Sequence, residues 1–125
     1  MSLFLSYCRD DLDKVLPVKQ EIEQILGVSC WMDDGKRPED EVIDAIVAGD
    51  AFLFMLTPQS MSRSVVFCEL DYASRRKEHI VLVALEPCEL DSDFAFRYGH
   101  YEIIQWNEPA QRLKLLLNLR NWCKK

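Results

Sequence analysis

Glycine and histidine are scarce in this sequence, and their scarcity excludes several kinds of site. The chain has four glycines and two histidines among 125 residues, and no glycine stands in a GxGxxG or GxxxxGK[ST] pattern. A glycine-rich turn that cradles phosphate is therefore not expected. The five cysteines include no CxxC pair and form no zinc-ligand spacing with His79 and His100, so we expect no metal. The cysteines are expected to be mainly buried thiols in a reducing cytoplasm.

Long apolar runs and an excess of positive charge are also absent. No stretch of about 18 apolar residues exists, so no helix is expected to span a membrane. The formal net charge of −6 gives no support to nucleic-acid binding. Because 49% of the residues are hydrophobic and the length is typical of one domain, we expect residues 1–125 to form a single cytoplasmic domain.

Short apolar runs alternate with longer connections along the chain. The runs that predict strands are Leu3–Tyr7, Val28–Met32, Ala51–Leu56, His79–Leu85 and Tyr101–Trp106. Helices are predicted between them, except that Pro87–Gly99 is irregular and predicts no more than one helical turn. The pattern predicts an α/β, flavodoxin-like fold: a five-stranded parallel sheet of order 2-1-3-4-5 with helices on both faces. Apolar helix residues expected to pack on this sheet include Leu12, Ile25, Leu113 and Leu117.

One acid stands where the helical pattern predicts an apolar residue. At about 100° per residue, Glu69 falls at the middle of the apolar face of the predicted helix Ser64–Arg76. The residues on either side of it on this face are Val65, Val66, Tyr72 and Ala73, and Cys68 and Leu70 extend the face. A carboxylate there costs free energy unless it has a partner or a function. In this fold the ligand crevice lies at the carboxyl ends of strands 1 and 3, close to the start of that helix. Glu69 is therefore a candidate functional acid, the alternative being a structural acid held by Arg9 or Arg76.

Two other kinds of site lack the residues they need. No GxSxG motif is present, so a hydrolase nucleophile elbow is not expected. A phospho-acceptor receiver domain shares the predicted topology but needs an aspartate at the end of the third strand. Thr57 and Pro58 stand there instead, which argues against phosphoryl acceptance.

Four segments together resemble a Toll/interleukin-1 receptor (TIR) domain of the bacterial type. They are "LFLSYCRDD", "CWMDDG", "FLFMLTPQSMSRSVVFCELDYA" and "FAFRYGHYEIIQWNEP", and the similarity extends in order over essentially the whole chain. The family has the flavodoxin-like fold predicted above. Its members are signalling adaptors or enzymes that cleave NAD at the nicotinamide–ribose bond.

The resemblance also implies roles for particular residues. Glu69 of "CEL" matches the catalytic glutamate of the enzymatic members, and Tyr7 and Arg9 match positions that line the nucleotide pocket. Asp33 begins the loop after the second strand and is also expected to contact substrate. Phe67 is a possible substitute for the tryptophan that the family commonly places at the position of Val65.

Two functions from different classes follow. The first is an NAD glycohydrolase that needs NAD as substrate and no other cofactor, with Glu69 stabilising positive charge on the ribose. The residues offer no obvious second acid for this chemistry. The second is a non-catalytic module that associates with itself or with other TIR domains, which Val65 and the short loop of residues 33–39 favour. For Arg9 the alternative to phosphate binding is a surface pair with Asp10 or Asp34, and for Asp33 it is turn formation alone.

Overall fold

The computed structural model describes residues 1–62 and 64–123, without the side chains of residues 64–67. The strands are β1 Ser2–Ser6, β2 Ser29–Met32, β3 Ala51–Leu56, β4 Ile80–Ala84 and β5 Glu102–Gln105. The α-helices are α1 Leu12–Leu26, α2 Glu39–Ala48, α3 Ser64–Arg76, α4 Ser92–Tyr98 and α5 Pro109–Trp122. Short 3-10 turns, Arg9–Asp11 and Ser60–Ser62, precede α1 and α3. None of the described helices is long and apolar enough to cross a lipid bilayer.

The five strands form one parallel sheet in the order β2-β1-β3-β4-β5. Every residue of β3 and β4 is buried, because helices cover both faces of the sheet. The register pairs Leu5 with Leu53 between β1 and β3, and Phe54 with Leu82 between β3 and β4. The predicted flavodoxin-like α/β fold and the central position of Ala51–Leu56 are therefore confirmed.

Alternate residues of the strands enter two separate core layers. Leu3, Leu5 and Leu53 pack with α1 and α5 on one face of the sheet. Phe4 and Phe52 point to the other face, where their rings stack with centroids 5.2 Å apart. This second layer contains Ile46 of α2 and Leu70 of α3, and it forms the floor beneath those two helices.

Several expectations about individual helix residues were wrong. Leu12, Ile25, Leu113 and Leu117 are all exposed, from 39% for Leu12 to 57% for Ile25 and Leu113. A helix on a sheet buries one stripe only, and other residues already fill it. Those residues are Val15, Val18 and Ile22 in α1, and Leu115, Leu116 and Leu119 in α5. The irregular segment also contains more helix than expected, because Phe94 and Tyr98 of α4 bury their rings one turn apart.

Buried polar groups tie the carboxyl end of β3 to the turn after β1. The Thr57 hydroxyl donates a hydrogen bond to Asp11 Oδ2 and accepts one from the Ser60 N–H at 3.1 Å. Asp11 is 1% exposed, and Lys14 Nζ lies 3.7 Å from its Oδ1. This contact fixes the edge of the sheet at which the candidate site lies.

We expect Thr57→Val to lower the free energy of unfolding by about 1–3 kcal/mol, because the substitution leaves Asp11 buried without its donor. Thr57→Ser keeps the hydroxyl and loses one methyl group, so its cost should be smaller, about 1 kcal/mol. Urea unfolding of the two variants beside the parent measures the difference. A Val variant as stable as the parent beside a destabilised Ser variant would show that the methyl group, and not the hydroxyl, matters at this position.

Candidate active site

A cleft of about 340 Å³ opens between α2 and α3, beside the loop that follows β2. Its α2 wall is largely apolar and is formed by Val42, Ile43 and Ile46. The remaining lining residues carry polar or ionisable groups: Asp33, Arg37, Glu39, Cys68, Glu69 and Tyr72. An apolar wall facing a few convergent polar groups is typical of a small-molecule site.

Glu69 lines this cleft from the second turn of α3, and a neutral hydroxyl holds its carboxyl. Ser6, which is 1% exposed at the end of β1, donates a hydrogen bond from Oγ to Glu69 Oε1 at 2.7 Å. Neither arginine considered as a structural partner takes this place among the described residues. The Arg76 guanidinium lies 4.3 Å from the centre of the Tyr72 ring, and the Arg9 guanidinium lies against Gly35.

The surroundings of Glu69 favour its protonated form. Burial raises the pKa of Glu69 from 4.5 to about 7, the Ser6 hydrogen bond opposes this rise, and the charge and hydrogen bond of Asp33 add to it. Burial acts in this direction because a desolvated carboxylate is less stable than the neutral acid. A strongly shifted carboxyl in a cleft is a common property of functional sites.

Asp33 takes part in both the turn and the cleft. Its Oδ1 accepts a hydrogen bond from the Gly35 N–H at 2.8 Å, and Asp34 Oδ1 accepts one from the Lys36 N–H at 2.9 Å. The turn chemistry expected for this loop is therefore present. Gly35 has φ +79°, and a Cβ there would overlap the Arg9 guanidinium, so glycine suits the position in two ways. Asp33, which the resemblance named as a substrate contact, also lines the cleft, so a second carboxyl group is present there beside Glu69.

Tyr7 and Arg9 lie next to the cleft and outside its lining. Burial raises the pKa of Tyr7, Asp33 raises it further, and the nearby Arg9 charge opposes this effect. Tyr7 is therefore close to the same loop that carries Asp33. Arg9 is exposed on the turn after β1 and covers the backbone at Gly35. Their roles in substrate binding stay predictions.

Three further residues of α3 were named in the sequence analysis. Cys68 was expected on the buried face, and this was wrong: it is exposed and lines the cleft beside Glu69. The side chains of Phe67 and Val65 lie outside the described residues, so the substitution of a tryptophan by Phe67 stays a prediction.

No three His, Cys, Asp or Glu side chains in the described part of the chain are arranged to hold a metal ion.

The sequence alone assigned no role in this site to Ser6 or to Arg37. Ser6 could have been recognised from the sequence, since it is a polar residue in the apolar run "LFLSY". Arg37 could not have been recognised in this way, because nothing in "DDGKRPED" distinguishes it from Lys36. In the structure Arg37 lines the cleft, Nη1 lies 2.8 Å from Glu41 Oε1, and the guanidinium lies 5.2 Å from the centre of the Trp31 ring.

The protein is a flavodoxin-like α/β domain with an acidic side chain, Glu69, in a cleft near the carboxyl ends of the strands. A family model described as "TIR domain" matches residues 3–117, and the chain belongs to the TIR domain family. The resemblance seen in the sequence is thereby confirmed at the level of the family, and the bacterial subtype stays a prediction. No curated protein matches this chain.

Solved structures show the same fold. The TIR domain of the Toll-related Receptor TRR-2 from Hydra magnipapillata is similar, with a TM-score of 0.74 and 16% identity over 95% of this chain and 98% of that chain. A flavodoxin-like domain from Synechococcus sp is similar with a TM-score of 0.61 and 18% identity, over 98% of this chain and 97% of that chain. At these identities the likeness concerns the fold alone.

The raised pKa of Glu69 predicts that stability falls as the pH rises through neutrality. Above the unfolded value of 4.5 the unfolded chain releases the Glu69 proton, whereas the folded protein keeps it until about pH 7. The free energy of unfolding should therefore decrease between about pH 5 and about pH 8, by up to roughly 3 kcal/mol from this group. Urea unfolding measured at both pH values tests this.

Glu69→Gln is the matched variant, because it removes this titration and keeps His79 and His100. We expect the variant to lose much less stability than the parent over the same pH range. The same pH dependence in both proteins would show that Glu69 titrates normally in the folded state.

Proposed function

We propose that this TIR domain is an NAD glycohydrolase, which cleaves the nicotinamide–ribose bond and releases nicotinamide with ADP-ribose or a cyclic ADP-ribose. The observation that carries the proposal is the partner of Glu69. A structural acid is expected to be paired with a cation, whereas Glu69 lies in a cleft and, among the side chains that the structure describes, has the neutral Ser6 hydroxyl as its hydrogen-bond donor. In this proposal the negative charge of Glu69, once formed, acts on a cationic ligand.

The chemistry of NAD cleavage fits one such carboxylate. Nicotinamide in NAD is already a cationic leaving group, so its departure needs no general acid. The bond electrons leave with nicotinamide, and positive charge develops on the ribose in an oxocarbenium-like state. A carboxylate fixed in a site with little water stabilises that charge and can contact the ribose hydroxyls. Glu69 is the catalytic residue in this proposal, and NAD is the substrate with no further cofactor.

The shape of the cleft suggests how NAD would be placed. The apolar wall of Val42, Ile43 and Ile46 suits a flat ring, and Arg37 provides a cation for the phosphates. A volume of about 340 Å³ is sufficient for the nicotinamide riboside part of NAD, with the remainder of the molecule outside. The five free cysteines agree with a cytoplasmic location, which we include in the proposal.

A second candidate is a non-catalytic TIR module that binds itself or another TIR domain. Phe96 of α4 favours it, because this large apolar side chain is 91% exposed. It lies at a surface recess lined by residues of α3, α4 and the turn after α4, among them Asp71, Arg97 and Tyr101. The two candidates differ in whether Glu69 is replaceable.

We expect Glu69→Gln to abolish nicotinamide release while the melting temperature holds or rises. The change keeps the shape of the side chain and removes the charge, and charges held for catalysis are often destabilising to the fold. Nicotinamide release is measured by chromatography at high protein concentration and slightly alkaline pH, and the melting temperature by circular dichroism.

Glu78→Gln is the control, because Glu78 is exposed beyond the end of α3. It should keep the parent activity. An inactive parent together with an early-melting Glu69→Gln variant would support the non-catalytic module. Parent-like turnover by Glu69→Gln would remove Glu69 from the catalytic role.

Arg37→Ala should raise the KM for NAD by about 10-fold with little change in kcat, because a charge-assisted contact to phosphate acts on ground state and transition state alike. Lys36→Ala is the matched control, since Lys36 is an exposed cation of the same loop that does not line the cleft. Steady-state kinetics give both constants. An equal effect of the two substitutions would indicate general attraction of the anion by the loop.

A further inference from the structure

Ser6 is a buried polar residue on a strand face that is otherwise apolar. Alternate residues of a strand point to the same side of the sheet, so Ser6 and Phe4 both point toward the core layer beneath α2 and α3. The register with β3 pairs Ser6 with Phe54, whose ring belongs to that layer. Ser6 is 1% exposed. An apolar side chain would suit this position better, because a buried hydroxyl costs free energy unless it has a hydrogen-bond partner.

The partner of this hydroxyl is the functional acid itself. Ser6 Oγ donates a hydrogen bond to Glu69 Oε1 at 2.7 Å, a normal length for a hydroxyl donor and a carboxyl acceptor. The donor stands on β1, which lies between β2 and β3 in the sheet and packs against α3. Because hydrogen bonds to two neighbouring strands fix β1, the hydroxyl is a rigid anchor for one oxygen of Glu69.

Ser6 lies behind Glu69 and not in the wall of the cleft. Glu69 lines the cleft from α3, whereas Ser6 is buried and is not one of the lining residues. A ligand in the cleft therefore contacts the acid and not its anchor. A glutamate side chain has several rotatable bonds, and holding it in one orientation beforehand avoids an entropy cost when the ligand reacts.

We propose that Ser6 is a positioning residue that acts through Glu69: its hydroxyl holds one carboxyl oxygen and so keeps the acid in one orientation toward the cleft. The inference rests on the proposed function for its catalytic meaning. In NAD cleavage, positive charge would develop on the ribose beside a carboxylate that is already in place. The same hydrogen bond favours the ionised form of Glu69, because it is made to the charge that forms.

Other titratable or charged groups face Glu69, the cleft or its rim. In the described part of the chain they are Tyr7 and Arg9 after β1, Asp33, Asp34 and Arg37 after β2, Glu39 of α2, and Cys68 and Tyr72 of α3. Replacing Ser6 leaves every one of these groups in the protein. A difference between the parent and a Ser6 variant therefore reports on the hydroxyl.

The test compares Ser6→Ala with Ser60→Ala. Each change removes one buried serine hydroxyl, but Ser60 is bonded to the backbone of Thr57, at 2.9 Å, and not to Glu69. Carbon-13 NMR of the Glu69 carboxyl, assigned with the Glu69→Gln protein, gives the midpoint of its ionisation. Ser6→Ala should raise this midpoint by about half a pH unit or more, and Ser60→Ala by about 0.2 units at most. Three-bond couplings should show one Glu69 rotamer in the parent and an average of rotamers in Ser6→Ala.

Steady-state kinetics give the second readout. Rates are compared about two pH units above the Glu69 midpoint of each protein, where the carboxyl is ionised in both. There Ser6→Ala should lower kcat about 10-fold and leave the KM for NAD within about 2-fold, whereas Ser60→Ala should keep both constants. The acid limb of the pH profile should move to higher pH in Ser6→Ala alone. Ser6→Cys, with a weakly donating thiol, is the second variant if the Ser6→Ala protein does not fold.

The two readouts separate this inference from the proposed function. A parent-like midpoint and a single Glu69 rotamer in whichever Ser6 variant folds overturn the inference, and so does an equal fall of kcat in Ser6→Ala and Ser60→Ala. NAD cleavage with an unchanged kcat in the Ser6 variant would support the glycohydrolase and refute the positioning role. A parent that releases no nicotinamide would refute the glycohydrolase, while the NMR readouts would still decide whether Ser6 orients Glu69.

Discussion

Burial of both faces of the sheet is the constraint on which the rest of this structure depends. A parallel sheet needs crossover connections, and here helices from both sides cover β3 and β4 completely. Such strands have no room for polar side chains along their length. Polar groups are therefore found where the strands end, as Ser6 and Thr57 are.

The site follows from that arrangement. In the order β2-β1-β3-β4-β5, β1 lies beside β3, so the end of β1 lies close to α3, the helix that follows β3. The Ser6 hydroxyl at this end of β1 donates a hydrogen bond to Glu69 at 2.7 Å. Because α2 and α3 cover the same face of the sheet, the loop before α2 also brings Asp33 into the cleft that Glu69 lines. Three elements that are distant in sequence thus supply Ser6, Asp33 and Glu69 to the region of the cleft.

The sequence predicted the fold well because the signals for it are local. Apolar runs, helical periods and the residues that break them are each contained within a few neighbouring positions, and together they gave the strand order. Individual helix faces were predicted less well. Leu113 and Leu117 match a helical period, yet Leu115 and Leu119 lie against the sheet, because the rotation of a helix about its axis is decided by packing.

For the site, the sequence by itself determined that Glu69 is unusual, since an acid on an apolar helical face is visible without coordinates. It also determined the resemblance to TIR domains, which the family comparison confirms. Only the tertiary structure decided the surroundings of that acid: the Ser6 hydroxyl in place of Arg9 or Arg76 as its described partner, and Asp33 as a second carboxyl in the same cleft. The physical reason is that hydrogen bonds and charge repulsion act over a few ångströms in space. Ser6 and Glu69 are 63 positions apart along the chain, and no local pattern in the sequence indicates that they lie within hydrogen-bond distance.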